Sequence, residues 1–193
     1  ATSRPVGERC REWARTEGYV EIVGMEECEI FISVMYDKII PAPYISSRPC
    51  FNFHPGVLPE YRGSGAFSWA IINGARDTGV TLHQIDEDID HGPVVEIRRF
   101  PIAPHDTAEG LFRQAERMME EMFRSWLTVI AALDPAVTTL PKPQDEAYAG
   151  IYYRKELERA KDLTRYVRAF TFEGKEPAYF INSRGERVPI IYE

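Results

Sequence analysis

An amide, an imidazole and a carboxylate stand at the ends of two strand-like stretches of this chain. Asn52 and His54 are two residues apart, and Asp90 follows a Gly/Pro-rich loop, a helical pattern and a second strand-like run. In acyl transfer an amide can hold an oxyanion, an imidazole can move a proton, and a carboxylate can set the charge of the imidazole. These residue types in this order favour a catalytic trio of Asn52, His54 and Asp90.

The elements that must position this trio alternate between strands and helices. Residue patterning predicts strands at 19–23, 29–34, 50–53, 79–85 and 94–100 and helices at 6–17, 66–73 and 106–134. A capping box of Asp106 and Glu109 is expected to open the last helix. Such alternation is typical of an α/β domain with a mostly parallel sheet. Ligands bind beyond the carboxyl ends of strands in these sheets, so His54 and Asp90 are expected to converge there.

The C-terminal quarter of the chain has the pattern of a small appendage. A linker-like stretch at 141–146 precedes a predicted helix at 156–170 and two strands at 178–182 and 187–192. Ser183-Arg184-Gly185 between those strands is typical of a hairpin turn. We therefore expect a catalytic domain over residues 1–140 and a small α+β extension over residues 147–193.

The composition argues against several classes of protein. With 44% hydrophobic and 27% charged residues, the 193-residue chain has an ordinary globular composition. Its net charge of −7 argues against a nucleic-acid partner, which needs a basic surface. No apolar run approaches the roughly 20 residues of a membrane span, so no membrane partner is expected. The cysteines at 10, 28 and 50 form no CxxC pair, which favours a reducing, cytoplasmic compartment.

Metal and nucleotide motifs are not matched. An EF-hand loop starting at Asp86 would need Gly and Glu at its sixth and twelfth positions, where this chain has His91 and Ile97. The histidines at 54, 83 and 91 do not follow a known zinc spacing. The glycines at 63 and 65 lack the third glycine of a dinucleotide-binding loop. We therefore expect no metal, with a metal-dependent hydrolase as a lesser alternative.

The same stretch resembles the folate-dependent formyltransferases. Their signature is Asn-x-His-Pro, then Leu-Pro-x-Tyr-Arg-Gly, then Gly-Val-Thr-x-His-x-x-Asp-x-x-x-Asp-x-Gly. This chain carries the three parts at residues 52–55, 58–63 and 79–92. The C-terminal part is similar to the sugar-nucleotide N-formyltransferases within that family. The resemblance implies a three-layer, Rossmann-type fold, of which one N-terminal βαβ part is expected to be missing here.

The resemblance also implies the chemistry and the ligands. It assigns 10-formyltetrahydrofolate as formyl donor and a small-molecule primary amine as acceptor, most readily a nucleotide-linked amino sugar. It assigns Asn52 to stabilising the oxyanion, His54 to proton transfer, and Asp90 to raising the proton affinity of the His54 imidazole. The donor's pteridine ring would contact two segments, formed by Met35, Tyr36, Asp37, Lys38 and Ile39 and by Ile85, Asp86 and Asp88.

Other acceptors and one other class of function stay open. Methionyl-tRNA, glycinamide ribonucleotide or an amino-acid derivative would use the same chemistry. An inactive folate- or nucleotide-binding remnant is the alternative from a different class. A homodimer is a further expectation, through pairing of the C-terminal hairpin. Residues that we consider for the acceptor pocket are Trp69, Tyr152, Tyr153, Arg165 and Phe170.

Overall fold

The computed structural model describes residues 2, 4–20, 28–132, 162–190 and 192. Its helices are α1 (Pro5–Thr16), α2 (Ala42–Ile45), α3 (Ala66–Ile72), α4 (Ala108–Ala131) and α5 (Leu163–Ala169). Its strands are β1 (Phe31–Val34), β2 (Cys50–His54), β3 (Asp77–Gln84), β4 (Val94–Pro101), β5 (Ala178–Ile181) and β6 (Arg187–Ile190). Most predicted elements are present within one or two residues, and α2 is an addition to them.

The main sheet is mixed. It has the order β1-β2-β3-β4, with β1 parallel to β2 and with antiparallel pairing of β2 to β3 and of β3 to β4. The predicted α/β class is confirmed, but these strands are not mostly parallel. Parallel neighbours need a crossover of a dozen or more residues, and the loop at 85–93 between β3 and β4 is too short for one.

One face of the sheet carries the larger hydrophobic core. Phe51 and Phe53 of β2 are buried in the same cluster as Val80 and Leu82 of β3. Phe53 and Leu82 are cross-strand partners, so their side chains leave the sheet on the same side. We call these four residues the core face. Helices α1, α3 and α4 contribute to the cluster that covers it.

The other face carries α2 and a smaller cluster. Tyr44 of α2 packs with Phe31 and Cys50, which are partners in the parallel pair of β1 and β2. Cys50 precedes Phe51, so strand alternation turns these two neighbours to opposite faces. Helices therefore lie on both sides of the sheet, as a three-layer fold requires.

The long helix α4 begins two residues later than expected. Its N-cap is Thr107, whose hydroxyl accepts a hydrogen bond from the Gly110 N–H. Asp106 accepts from the Ala103 N–H, and Glu109 pairs with Arg113. The predicted capping box of Asp106 and Glu109 is therefore wrong. The face of α4 that packs on the core carries apolar residues that are buried at helical spacing, among them Leu111, Ala115, Met119, Met122 and Ile130.

The C-terminal residues share the larger core. Tyr166 and Val167 of α5 and Ala178 of β5 belong to its buried cluster. Arg168 is also buried, and it donates hydrogen bonds to the carbonyls of Ala103 and Asp106 just before α4. These contacts attach α5 to the segment that leads into α4. The hairpin of β5 and β6 is present as predicted.

Some expectations fall outside the described residues. They are most of the strand at 19–23, the linker at 141–146 and the first part of the helix at 156–170. The division into domains at 1–140 and 147–193 stays a prediction for that reason. Within the part of the chain that is described, no helix is both long and apolar enough to cross a lipid bilayer.

Candidate functional site

The candidate site lies on the face of the sheet opposite the core. Asn52 and His54 alternate with the core phenylalanines of β2, and β3 places His83 opposite Asn52 and Thr81 opposite His54. We call Asn52, His54, Thr81 and His83 the site face. Strand alternation alone therefore brings two histidines and an amide together above a closely packed sheet.

Asp90 completes this group from the loop between β3 and β4. One carboxylate oxygen accepts from the Asn52 Nδ2, at 3.2 Å, and lies 3.4 Å from the His83 Nε2. The other accepts from the Gly63 N–H, at 2.9 Å, and lies 3.2 Å from the His54 Nδ1. The sequence-predicted trio is thus brought together around a single carboxylate, with His83 as a fourth member.

The charge of Asp90 is set by these neighbours. Burial alone would raise the pKa of its carboxyl group. The charge of His54 and the hydrogen bond from the Gly63 N–H act against burial, and the pKa is held well below its usual value. Asp90 is therefore an anion at neutral pH, and it is held at a left-handed backbone angle, with φ of 48°.

His54 is held at both ring nitrogens. Its Nε2 lies 2.8 Å from the Tyr61 carbonyl oxygen, and its Nδ1 faces the Asp90 carboxylate. Only a protonated ring can donate to both oxygens at once. Burial nevertheless lowers the pKa of His54, against the opposing effects of Asp90 and the Tyr61 carbonyl. The site thus accommodates an imidazolium and also favours loss of its proton, as a proton shuttle requires.

His83 was not predicted as a site residue. Its Nδ1 lies 2.6 Å from the Gln84 carbonyl, which can only accept, so this nitrogen carries the hydrogen. Its Nε2 then accepts from the Asn52 Nδ2, at 3.1 Å. His83 therefore fixes the orientation of the Asn52 amide, whose two N–H groups go to His83 and Asp90.

The Gly/Pro-rich loop after β2 is anchored by Thr81. The Thr81 hydroxyl donates to the Gly56 carbonyl, at 2.7 Å, and accepts from the Leu58 N–H, at 3.2 Å. Because the hydroxyl is buried, no water can replace it. This anchor holds the loop that delivers the Tyr61 carbonyl to His54 and the Gly63 N–H to Asp90.

Asn52, His54, His83 and Asp90 all line one cavity of about 710 Å³. A first group of lining residues, the loop side, comes from residues 35–40 and 85–89. It includes every residue predicted for the pteridine: Met35, Tyr36, Asp37, Lys38, Ile39, Ile85, Asp86 and Asp88. Met35 has a left-handed φ of 56°, so the backbone on this side of the cavity is strained, as it is at Asp90.

A second group of lining residues, the aromatic side, comes from α3, α4 and the C-terminal part. It is formed by Ser68, Phe112, Phe170, Phe172 and Lys175. Of the residues considered for an acceptor, Phe170 lines the cavity, Trp69 and Arg165 do not, and Tyr152 and Tyr153 lie outside the described residues. The volume of the cavity is within the range of small-molecule sites.

No metal centre is found among residues 4–20, 28–132 and 162–190, where no three His, Cys, Asp or Glu side chains are placed to hold an ion. His91, considered with the other histidines for zinc, pairs instead with Asp86 at 2.8 Å.

Comparison with known proteins finds one family. The sequence profile described as formyl transferase matches residues 10–127, which include all four members of the site. The chain is 30% identical to the methionyl-tRNA formyltransferase of Sorangium cellulosum over 168 residues, which are 83% of this chain and 53% of that protein. It is 30% identical to the GDP-perosamine N-formyltransferase of Brucella melitensis over 181 residues, 86% of this chain and 65% of that protein.

Solved structures share the fold. A 4-N formyltransferase from Francisella tularensis superposes with a TM-score of 0.76 at 23% identity, covering 100% of this chain and 85% of that one. An N-formyltransferase from Helicobacter canadensis was solved with folinic acid and dTDP-3-aminofucose. It superposes with a TM-score of 0.64 at 24% identity, covering 84% of this chain and 64% of that one. The chain spans about half the length of the methionyl-tRNA formyltransferases that it matches.

Proposed function

The chain belongs to the formyl transferase family, and we propose that it transfers a formyl group from 10-formyltetrahydrofolate to the primary amine of a nucleotide-linked amino sugar. The observation that carries this proposal is the cluster of Asn52, His54, His83 and Asp90 on the wall of a shared cavity. In the reaction, the amine nitrogen bonds to the formyl carbon and the bond from that carbon to N10 breaks. One proton moves from the amine to the leaving nitrogen.

Asn52 is assigned to the oxyanion of the tetrahedral intermediate. Both of its amide hydrogens are engaged within the protein, one by His83 and one by Asp90. The formyl oxygen would take the place of one of these acceptors, so the amide is aimed before the ligand arrives. A donor of this kind typically contributes about 10²–10³-fold in rate.

His54 and Asp90 are assigned to the proton. The side chain of Asp90 is 13% exposed whereas that of His54 is 4% exposed, so Asp90 presents the pair to the cavity. The buried imidazole of His54, beside the ionised carboxylate of Asp90, can take up the amine proton as the new bond forms and release it to the leaving group. The lowered pKa of His54 supports this role, because its imidazolium returns the proton readily.

The loop side of the cavity is assigned to the donor. Its peptide groups and mixed polar and apolar side chains suit a flat ring with a polar edge, and the segments are those that the sequence predicts. The Helicobacter canadensis relative in fold was solved with folinic acid, a folate. These observations support 10-formyltetrahydrofolate as the cosubstrate.

The aromatic side is assigned to the acceptor. Phe112, Phe170 and Phe172 offer apolar ring faces on which a sugar can pack, and Lys175 offers a positive charge to a phosphate. The Brucella melitensis relative acts, by its name, on GDP-perosamine. The net charge of −7 argues against tRNA, although relatives at the same identity are methionyl-tRNA formyltransferases. A nucleotide-linked amino sugar is therefore the preferred acceptor.

The test is a turnover screen with 10-formyltetrahydrofolate and a panel of amines, measured as release of tetrahydrofolate. The panel contains nucleotide-linked 3- and 4-amino sugars, glycinamide ribonucleotide and methionyl-tRNA. We expect turnover with an amino sugar. Turnover only with methionyl-tRNA or glycinamide ribonucleotide would replace the acceptor and keep the reaction.

The same screen tests the alternative of an inactive remnant. A remnant would bind folate and consume no donor with any amine, and a protein that binds no folate would contradict the reaction itself. Chelator-sensitive turnover of an ester or amide would instead reveal a metal-dependent hydrolase.

Two further expectations accompany this proposal. All three cysteines are free thiols, which suits a cytoplasmic compartment. A homodimer through the hairpin of β5 and β6 stays a prediction, to be measured by the mass of the protein in solution.

A further inference from the structure

Glu109, in the first turn of α4, contacts the backbone on both sides of Phe172. Its N–H donates to the Thr171 carbonyl, at 3.3 Å, and its Oε2 accepts from the Glu173 N–H, at 3.0 Å. The N–H groups of the first turn have no partner within their own helix, so the Thr171 carbonyl supplies one that α4 lacks. One residue thus holds the chain before and after a single aromatic side chain.

The carboxylate of Glu109 is itself held in place. Its Oε1 pairs with the Arg113 guanidinium one turn further along α4, and the same guanidinium lies 3.3 Å from the Glu173 carboxylate. The Glu109 side chain is 20% exposed, whereas those of Arg113 and Glu173 are 60% and 82% exposed. A negative charge in the first turn is also stabilised by the helix dipole. Glu109 is therefore the most buried member of this charged group.

Phe172 is the residue that this arrangement fixes. The centre of its ring lies 5.4 Å from that of Phe112, edge to face, and both residues line the aromatic side of the cavity. The same segment is anchored again where α5 ends, because the Ser68 hydroxyl donates to the Ala169 carbonyl at 2.6 Å. Glu109 itself is outside the cavity lining, so an effect on a ligand must pass through the residues that it holds.

On the proposed function, in which the aromatic side takes the acceptor, we infer that Glu109 is a positioning residue for acceptor binding: it keeps the Phe172 ring in place for the sugar of a nucleotide-linked amine. When a binding-competent arrangement is only partly populated, the apparent affinity falls by the populated fraction. Loss of one hydrogen bond should therefore raise the dissociation constant of the acceptor by about two- to tenfold. At saturation the bound acceptor selects the ordered segment, so kcat should not change.

The test measures binding and catalysis separately. Dissociation constants are determined by titration calorimetry for tetrahydrofolate and for nucleotide-linked 3- and 4-amino sugars, and KM and kcat are determined from tetrahydrofolate release. Glu109→Ala removes the acceptor of the Glu173 N–H, and Glu109→Gln keeps an oxygen that can accept from it. Glu121→Ala, on the exposed side of α4, is the matched control. Hydrogen exchange of the Glu173 amide reports the contact itself.

A double-variant cycle tests whether Glu109 acts through Phe172. Phe172→Ala, Glu109→Ala and their combination are compared for binding of the amino sugar. If Glu109 acts by placing the ring, the combined variant should bind no more weakly than Phe172→Ala alone. A general structural effect of Glu109 would instead add to that of Phe172→Ala.

The expected result separates the two ligands. In Glu109→Ala the Glu173 amide exchanges faster, and the dissociation constant and KM of the amino sugar rise by about two- to tenfold. The kcat and the dissociation constant of tetrahydrofolate stay as in the unmodified protein. Glu109→Gln restores most of the affinity for the amino sugar, and Glu121→Ala changes none of these quantities.

Equal weakening of tetrahydrofolate and amino-sugar binding in Glu109→Ala would overturn the inference, as would additive effects in the cycle or unchanged affinity despite faster exchange. These outcomes are distinct from failure of the proposed function. If the expected pattern is found but no amine is formylated, the inference holds and formyl transfer is wrong. If the protein binds no amino sugar but formylates another amine, the inference is wrong and formyl transfer stands. If neither amino sugar nor folate binds, both are wrong.

Discussion

The two faces of β2 and β3 are formed by alternating residues of the same two strands, and they have opposite roles. On the core face, Phe51, Phe53, Val80 and Leu82 are buried against helices. On the site face, Asn52, His54, Thr81 and His83 are almost as well buried but are satisfied by hydrogen bonds to one another and to loops. Buried polar groups are tolerated only when they are paired in this way.

The molecule thus assigns stability and chemistry to different faces of the same two strands. Side chains of the core face stabilise the fold through apolar area, whereas those of the site face stabilise particular orientations and charges. A change on one face should therefore affect unfolding, and a change on the other should affect turnover. The variants below probe that separation.

The largest effect is expected from His54→Ala. Loss of the proton shuttle should lower kcat by about 10²–10⁴-fold while the circular dichroism spectrum is retained. Asp90→Ala should lower kcat by a factor in the same range. The matched control is His105→Ala, at an exposed histidine before α4, which should keep normal turnover. Turnover near that of the unmodified protein in either site variant would refute the assignment of the trio.

A substitution on the core face should affect the free energy of unfolding rather than kcat. Leu82→Ala removes a fully buried side chain and should lower the free energy of unfolding by about 2–5 kcal/mol. Its kcat, measured well below the unfolding temperature, should change little. The control is Leu163→Ala, at a leucine that is 58% exposed, which should stay within about 0.5 kcal/mol. A large loss of kcat without loss of stability in Leu82→Ala would contradict the separate roles of the two faces.

Thr81→Val should affect both the free energy of unfolding and kcat. The substitution keeps the shape but leaves the Gly56 carbonyl and the Leu58 N–H without their partner, at about 1–3 kcal/mol of unfolding free energy. The loosened loop should also lower kcat. Thr78→Val is the matched control in the same strand: its hydroxyl is buried without a hydrogen bond, so the change should be neutral or stabilising. Equal free energies of unfolding and equal kcat for the two variants would contradict the role of the Thr81 hydroxyl in holding the loop.

The smallest effect is expected from pH. His54 has a lowered pKa in the folded protein, so its contribution to stability is complete above its unfolded pKa of about 6.5 and is lost as pH falls below that value. Urea unfolding at pH 7.5, 6 and 5 should therefore show stability decreasing with acidity. His54→Gln should flatten this decrease, and an unchanged slope would count against the lowered pKa.

The trio was predictable because its signals are local. Pro55 and Gly56 end a strand whose alternation already places Asn52 and His54 on one face. Asp90 follows the next strand in a short acidic turn. The structure brings all three within hydrogen-bond or ion-pair distance.

The remaining parts of the site depend on information that one strand does not contain. His83 faces Asn52 only through the antiparallel register of β2 with β3, which the sequence alone leaves open. The Tyr61 carbonyl and the Gly63 N–H are backbone groups, so no residue type marks them. The aromatic side needs Phe170 and Phe172 to return from far along the chain. The direction of β3 likewise depends on the path of the loop after His54.

The register of β2 and β3 also constrains how descendants of this chain can vary in length. A single-residue insertion within either strand would exchange its polar and apolar sides and expel the histidines from the cavity. In β4 the situation differs, since a bulge opposite Leu82 and His83 already absorbs an extra residue. One-residue insertions and deletions should therefore be found in β4 and in the loops, and be purged by selection from β2 and β3.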